Sequence, residues 1–217
     1  DERCDLDVEA GAAGVDPKTI GDLAISTDGL KVFFVRRSTN GANPDMDRLY
    51  RYDLTTPYDI STCFYVEDIN PDTDALALGS TAVGDRGDVT RNHVQGVEIN
   101  PDGTKIFLTF NDASGTKDGL KEYTLSTPFD ITTMSLVKSA GISLETAAND
   151  NPDAIFFGLN GKRVFVTDHF RLTVTQFTLT NPYDTSSFTN DGNININTLT
   201  PGVNNQTRAI AFSKNGL

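Results

Sequence analysis

The sequence has little of several residues that mark particular classes of protein. Tryptophan is absent, and methionine and cysteine occur twice each in 217 residues. No apolar run exceeds four residues, as at Val32–Val35, whereas a membrane-spanning helix needs about 20 apolar residues. Bases are also scarce, with 18 Lys and Arg against 30 Asp and Glu and a net charge of −12. We therefore expect no membrane span, and no nucleic-acid partner because this charge repels phosphate backbones.

The abundant residues favour strands and turns over helices. The chain carries 24 Asp but 6 Glu, together with 27 Thr, 17 Asn and 18 Gly. Asp, Asn and Thr side chains compete with the backbone for hydrogen bonds, which makes them poor helix formers. Thr also suits pleated strands, as do the 13 Phe and 6 Tyr. The composition therefore predicts an all-β fold.

Two sequence motifs recur along the chain. The first reads Leu-Thr-Thr-Pro-Tyr-Asp-Ile-Ser-Thr at residues 54–62, and related versions occupy residues 125–133 and 179–187. The second is an Asp-Gly or Asn-Gly pair, found at Asp28-Gly29, Asp102-Gly103, Asn160-Gly161 and Asn215-Gly216. These pairs are 74, 58 and 55 residues apart, and extra residues between Glu67 and Asn92 account for the long first interval. Such spacing predicts a repeat architecture.

Each repeat predicts four strands, named a to d. Strand a runs into the Asp-Gly or Asn-Gly hairpin turn, and strand b follows with a continuous apolar run that suits a strand covered on both faces. Strand c precedes the Thr-Pro-aromatic-Asp segment, which turns the chain into strand d. The predicted strands a are Leu23–Ser26, Val97–Asn100, Ile155–Gly158 and Ile210–Ser213; strands b are Lys31–Val35, Lys105–Phe110 and Arg163–Thr167; strands c end at Leu54, Leu125 and Leu179; strands d lie at Cys63–Glu67, Met134–Ser139 and near Phe188.

Four-stranded antiparallel units with no helix between them predict a β-propeller, and a sandwich is the rival. Three full blades with partial blades at both ends are fewer than the usual four to eight, so we expect an excerpt of a larger ring, with closure by several copies as the alternative. We divide the chain into the end of a preceding blade (1–20), a blade (21–67), an insert (68–93), a blade (94–139), a connector (140–152), a blade (153–189), a connector (190–206) and the start of another blade (207–217).

The Asp-Gly-x-Lys-aromatic hairpin, followed by Leu-Ser/Thr-Thr-Pro-aromatic-Asp-Ile-Ser/Thr-Thr, resembles the repeats of bacterial and phage-encoded propellers related to the YVTN, NHL and lactonase-like superfamily. The resemblance covers nearly the whole chain. It implies the fold and says little about function, because the repeated residues are those that build the blade.

The two cysteines, Cys4 and Cys63, take equivalent places at the start of strand d in successive units. Outer strands of neighbouring blades diverge, whereas a disulfide requires Cα atoms within about 7 Å. We therefore expect two thiols, although the uncertain alignment of the first unit leaves a disulfide open.

Clusters of acids make calcium the one cofactor to consider, because calcium takes six to eight oxygen ligands. The candidate ligands are Asp45 and Asp47 in one loop and Asp112 and Asp118 in another. Neither loop matches a complete EF-hand, and Asp is frequent throughout the chain. We therefore expect solvated turns and no bound cofactor.

The candidate binding site lies at one end of the predicted propeller, the mouth, where d-to-a connectors and b-to-c loops meet. Residues just before strand a differ from unit to unit, unlike the strands themselves. The candidate ligand-binding residues are Asp22, Gln95, Asp153 and Arg208, together with His169 from the shortest b-to-c loop. A calcium ion there would require two of Asp22, Asp153 and Asp168 to converge.

Catalysis has little support, because the sequence contains no Gly-x-Ser-x-Gly, His-Glu-x-x-His or phosphate-loop motif. We expect a non-enzymatic binding or assembly scaffold of an extracellular, cell-surface or virion protein. It would contact protein or glycan through its loops and could assemble with other copies or other chains. The alternative is a lactonase- or lyase-like enzyme with a metal in the central channel, which would gather acids and a histidine from several blades around one point.

Overall fold

The computed structural model describes residues 19–37, 48–69, 93–111, 119–137, 142–143, 151–196 and 209–212. Most of these residues lie in strands. The strands are β1 (Thr19–Ile25), β2 (Lys31–Arg37), β3 (Arg48–Leu54), β4 (Cys63–Ile69), β5 (His93–Ile99), β6 (Lys105–Asn111), β7 (Gly119–Leu125), β8 (Met134–Leu136), β9 (Ile142–Ser143), β10 (Pro152–Gly158), β11 (Arg163–Asp168), β12 (Thr173–Leu179) and β13 (Phe188–Asn195). The helical segments among them are single 3₁₀ turns at Ile60–Thr62, Ile131–Thr133 and Leu159–Gly161. No described helix is long and apolar enough to cross a membrane.

The strands form three antiparallel sheets in which neighbours in sequence are neighbours in space. Blade 1 has the order β1-β2-β3-β4, blade 2 the order β5-β6-β7-β8, and blade 3 the order β10-β11-β12-β13. In blade 2 the outer strand is interrupted, because β8 and β9 pair with opposite ends of β7. The inner strand β5 packs against both β1 and β10. This arrangement is a partial β-propeller, as the sequence repeats predict.

The Asp-Gly pairs of blades 1 and 2 and the Asn160-Gly161 pair of blade 3 lie in the hairpin turns between the first two strands. In blade 1 the N–H of Gly29 donates to the carbonyl of Ser26 at 2.8 Å, and Asp28 accepts the N–H of Leu30 at 3.0 Å. Gly29 has a φ of 71°, a conformation that favours glycine. The pair therefore recurs because the turn requires a glycine with positive φ.

The Thr-Pro-aromatic-Asp motif forms the turn between the outer two strands of each blade. Its Asp accepts hydrogen bonds from the N–H two residues later at 3.0 Å in all three blades, from Ser61, Thr132 and Ser186. The hydroxyl bonds that accompany them lower the pKa of Asp59 and Asp184 below the usual value. The motif is thus a self-capped turn, as the sequence predicts.

Two apolar clusters lie between the blades. One joins blades 1 and 2 and includes Phe33, and the other joins blades 2 and 3 and includes Phe107. Both phenylalanines are fully buried, but Phe165, at the equivalent place in blade 3, is only half-buried. Equal places in the repeat predict equally interior positions for all three, and this prediction is wrong for Phe165, because it faces away from blade 2 and packs on Phe212. The same reasoning predicts interior positions for Tyr52, Tyr123 and Phe177, and all three are buried.

The structure corrects three further predictions, which concern the cysteines, the fourth strand a and the starts of the inner strands. Cys63 is disulfide-bonded, so the expectation of two thiols is wrong. That expectation depended on aligning the first unit, and Cys4, the only other cysteine of the chain, lies outside the described residues. Residues 209–212, in the predicted fourth strand a, belong to no strand. The inner strands also begin about four residues earlier than predicted, because pairing continues past a bulge.

Candidate binding site at the mouth of the propeller

The structure places three of the predicted site residues on the inner strands of three different blades. Asp22 lies on β1, Gln95 on β5 and Asp153 on β10, and His169 follows β11. These residues share the end of the propeller where the inner strands begin, which we call the mouth face. The opposite end, which holds the Asp-Gly and aromatic turns, is the turn face. Outside the described residues lie Arg208, Asp45, Asp47, Asp112 and Asp118.

Each inner strand carries a β-bulge at the predicted site. In blade 1, Ile20 pairs with Arg36 and Leu23 with Phe34, so two residues lie opposite one. The ladders of β5 and β10 slip at the matching places, between Val94 and Gly96 and between Pro152 and Ile155. A bulge bends a strand and redirects its side chains. The non-repeating residues therefore lie within the inner strands, at positions where the bulge interrupts the regular strand pairing.

Backbone of neighbouring inner strands approaches closely at these bulges. A Cβ atom on Gly21 would collide with the carbonyl of Gln95, and one on Gly96 would collide with the carbonyl of Asp153. Glycine has no Cβ, which permits this contact. The close approach brings residues next to these positions toward one another across blade boundaries.

The carboxylate of Asp22 bridges the inner strands. It accepts the N–H of Leu23 at 2.9 Å and the N–H of Val97, in blade 2, at 3.3 Å. Burial raises the pKa of Asp22 to about 6; hydrogen bonds from Leu23, Val97 and Ile155 oppose the rise, and the charge of Asp153 adds to it. One carboxylate therefore interacts with all three blades.

Glu98, which sequence reasoning missed, lies near the end of β5 and interacts electrostatically with Asp22 and with Tyr183 of the turn face. Burial raises the pKa of Glu98 to about 8, and the charge of Asp22 adds to the effect. At neutral pH the side chain is therefore mostly protonated and can donate a hydrogen bond. A signal was present in the repeat, because the equivalent positions hold the apolar residues Ala24 and Phe156.

Asp153 and His169 form a buried pair in blade 3. The Oδ2 atom of Asp153 lies 2.6 Å from Nδ1 of His169 and accepts the backbone N–H of the same residue at 3.1 Å. The side chains are 5% and 10% exposed. The carboxylate fixes the orientation of the imidazole through Nδ1. Nε2 is the ring nitrogen that is not bonded to Asp153.

Asp168 caps the turn after β11 instead of joining the other acids. Its Oδ1 accepts the N–H groups of Phe170 and Arg171 at 2.9 and 2.8 Å, and its Oδ2 accepts the N–H of Asn151 at 2.9 Å. Both oxygens are thus engaged by backbone. Within the described ranges, no three His, Cys, Asp or Glu side chains are grouped as metal ligands would be.

Gln95 is buried with an unsatisfied donor. Its side chain is 2% exposed, and Nε2 has no hydrogen-bond partner among the described residues. Nε of Arg36, a buried side chain on β2, also has no hydrogen-bond partner among the described residues. An unpaired buried donor costs about 1–3 kcal/mol, and water or a ligand can satisfy it.

No family model and no curated protein match the chain. Among solved structures, it is similar to a candidate 6-phosphogluconolactonase from Bacteroides uniformis, with 16% identity, a TM-score of 0.50 and coverage of 88% of this chain and 46% of that one. A candidate 6-phosphogluconolactonase from Bacteroides fragilis has 13% identity, a TM-score of 0.50 and coverage of 92% and 46%. A protein from Lactobacillus plantarum has 12% identity, a TM-score of 0.50 and coverage of 93% and 63%.

These similarities concern the fold. At 12–16% identity they carry no substrate or partner to this chain. The chain spans less than half the length of the two Bacteroides proteins and less than two thirds of the Lactobacillus protein.

Proposed function

We propose that the chain is a non-enzymatic propeller scaffold that binds protein or glycan at its mouth face. One observation carries the proposal: the turn face repeats the same polar residues from blade to blade, whereas the mouth face does not. On the turn face the polar side chains hold the blade's own backbone, as Asp59, Asp130 and Asp184 do. On the mouth face the bulges present residues that differ from blade to blade, which is the usual basis of recognition by a rigid scaffold.

The chemistry of the mouth face suits a polar ligand that both donates and accepts hydrogen bonds. Asp22 and Asp153 bring carboxylates to the bulges, and Gln95 adds an amide whose Nε2 donor is unsatisfied. Sugar hydroxyls or the basic side chains of a partner protein offer the complementary donors. The disulfide at Cys63 supports a place in an oxidising compartment, such as the cell surface, the extracellular space or a virion.

Variants of the two faces test the proposal with one panel of immobilised glycans and basic peptides. Asp22→Asn and Asp153→Asn change the mouth face, and Asp59→Asn and Asp184→Asn are the matched changes on the turn face. We expect the mouth-face variants to weaken binding at least tenfold while the turn-face variants bind as the parent does. Equal effects of both sets, or no binding to any member of the panel, would contradict the proposal.

An enzyme is the second candidate, and the Asp153–His169 pair favours it. Asp22 interacts electrostatically with Glu98 and with Asp153, from two other blades, and Asp153 orients an imidazole. An oriented histidine can act as a general base. The two Bacteroides proteins similar in fold make lactone hydrolysis the activity to assay.

The assay compares the parent chain with His169→Gln on 6-phosphogluconolactone and simple lactones. The scaffold proposal predicts the same slow hydrolysis with the parent, with the variant and with buffer. Hydrolysis at least a hundredfold above buffer by the parent, lost in His169→Gln, would establish the enzyme instead.

A further inference from the structure

Blade 1 holds the aromatic turn of blade 2 with two charged side chains. Nη1 of Arg51 donates to the carbonyl of Phe129 at 3.0 Å, and the carboxylate of Glu67 accepts the N–H of Ile131 at 2.9 Å. Arg51 and Glu67 also contact each other at 3.4 Å. We call such a cation and carboxylate, which together bind two backbone groups of the next blade's turn, a clamp.

Blade 2 has a clamp of the same chemistry. Nζ of Lys105 donates to the carbonyl of Tyr183 at 2.7 Å, and Oε2 of Glu122 accepts the N–H and the hydroxyl of Thr185, each at 2.8 Å. Lys105 and Glu122 are 2.6 Å apart. Tyr183 and Thr185 are the equivalents of Phe129 and Ile131 in the repeat. The two clamps therefore hold the same two backbone groups with different residues.

Blade 3 carries a third cation and carboxylate at the corresponding place. Arg163 opens β11 as Lys105 opens β6, and its Nη1 lies 3.3 Å from Oδ2 of Asp191. The same oxygen accepts hydrogen bonds from Gln176 and Thr178 at 2.8 and 2.6 Å. No donor to Oδ1 of Asp191 is found in the part of the chain that the structure describes.

The third clamp is more open than the other two. The carboxylate side chain is 2% exposed for Glu122 and 16% for Glu67, but 26% for Asp191. Every residue of β13 is exposed. Half-buried Phe165 belongs to the same face of blade 3, since the equivalent Phe107 faces the next blade.

Residues 209–212 already lie on this face. The ring of Phe212 is 4.5 Å from that of Phe165, centroid to centroid, and the ring of Phe157 is 4.4 Å from that of Phe107. Phe212 follows Phe157 by one repeat of 55 residues. Phe212 therefore makes the contact that the inner strand of a following blade would make.

We propose that Arg163 and Asp191 form the docking site for the aromatic turn of a fourth blade, whose inner strand begins with residues 209–212. Arg163 donates to the carbonyl of the turn's aromatic residue, and Oδ1 of Asp191 accepts the N–H two residues later. Continuity with Phe212 is the reason for a fourth blade as the occupant instead of a second copy of the chain. This interface is separate from the mouth face, so the two proposals stand or fall independently.

A blade-extended chain tests the proposal. Residues 1–212 are followed by a second copy of residues 158–196, which keeps the register because Phe212 is equivalent to Phe157. Asp191→Ala is introduced into the parent chain and, in the extended chain, into residues 1–212 but not into the appended copy. Asn193→Ala is the control, because Asn193 pairs with Thr175 and lies on the other face of the exposed strand β13.

We expect Asp191→Ala to lower the melting temperature of the extended chain by about 4 °C or more and that of the parent by less than about 1 °C. Asn193→Ala should have the same small effect in both chains. Hydrogen exchange should show protection at the appended Thr185 equivalent, and the protection should be lost in Asp191→Ala. An appended blade that stays unprotected, or equal effects of Asp191→Ala in both chains, would overturn the proposal. A parent chain that dimerises through Asp191 would also overturn it, because a second copy would then be the occupant.

Discussion

The ring of Phe129 lies against Gly103 so closely that a Cβ atom on the glycine would be 2.5 Å from the ring. The N–H of Phe129 also donates to the carbonyl of Gly103 at 2.8 Å, and both residues have positive φ, 65° and 70°. Blades 1 and 3 repeat this contact with Tyr58 on Gly29 and Tyr183 on Gly161. The two repeated sequence motifs are therefore the two halves of one contact on the turn face.

We predict that Gly103→Ala destabilises the protein more than Gly192→Ala does. Both glycines have positive φ, 70° and 108°, where alanine is strained, but a Cβ on Gly192 would meet nothing within 4 Å. The collision with Phe129 should add about 1–3 kcal/mol at Gly103. Unfolding in urea measures both free energies, and equal losses would show that the ring does not restrict this position.

The buried clamp of blade 2 predicts a large effect of Glu122→Ala. The substitution leaves Lys105 and the N–H of Thr185 without their acceptor in a buried place, for which a loss of about 3–5 kcal/mol is expected. Glu67→Ala, in the more exposed clamp of blade 1, should cost less. A double-mutant cycle with Lys105→Met measures the coupling, and additive losses would contradict the clamp.

Stability should fall as the pH rises from about 4 to 8. A carboxyl whose pKa is raised by folding stabilises the fold below its unfolded pKa and loses that contribution as the pH rises through the folded pKa. The raised pKa values of about 6 for Asp22 and about 8 for Glu98 define this window. Thermal unfolding measured across the range should show melting temperatures that decline with pH.

Glu98→Gln identifies the group responsible for the upper half of that window. The amide stays neutral, so the decline between pH 6 and 8 should largely disappear. Asp102→Asn is the control: hydrogen bonds from Thr104 lower the pKa of Asp102, so its contribution is lost only as the pH falls below about 4. A decline that persists unchanged in Glu98→Gln would assign it to other groups.

Burial predicts unequal effects of two equivalent phenylalanines. Phe107→Ala empties a fully buried place between blades 2 and 3 and should cost about 3–5 kcal/mol. Phe165→Ala should cost less, because Phe165 is half-buried. Denaturant unfolding of the two variants checks this order, and an unchanged stability of Phe107→Ala would invalidate the strand register.

The sequence predicts the blades well because the turns between strands have strict local requirements. Asp-Gly hairpins need glycine at positive φ, and the aromatic turn needs its ring on that glycine, so both leave a repeated signature. The clamps leave none, because Glu67 lies on β4 and Glu122 on β7, and a carboxylate can reach the same N–H from either strand. Ion pairs of this kind can be recognised only once the blades are assembled.

The sequence predicts candidate residues at the mouth face but not the backbone that holds them. Asp22, Gln95 and Asp153 are candidates because they do not repeat, whereas their bulges depend on contacts between blades and have no local pattern. Glu98 was missed although its repeat equivalents, Ala24 and Phe156, are apolar, and its interaction with Asp22 is visible only once the blades are assembled. The expectation that Cys63 is a free thiol is wrong because it depends on the aligned position of the cysteines in the repeat. An alignment does not determine distances between strands.

Calcium titration of the intact chain, followed by its melting temperature, tests most directly whether the mouth is a binding surface without metal. A mouth face that binds no metal predicts no saturable rise up to millimolar calcium, and the same melting temperatures for the Asp153→Ala variant with and without the ion. Asp184→Ala, on the turn face, is the matched control. A saturable rise of several degrees in the parent and in Asp184→Ala, abolished by Asp153→Ala, would contradict the account and favour a metal-dependent enzyme.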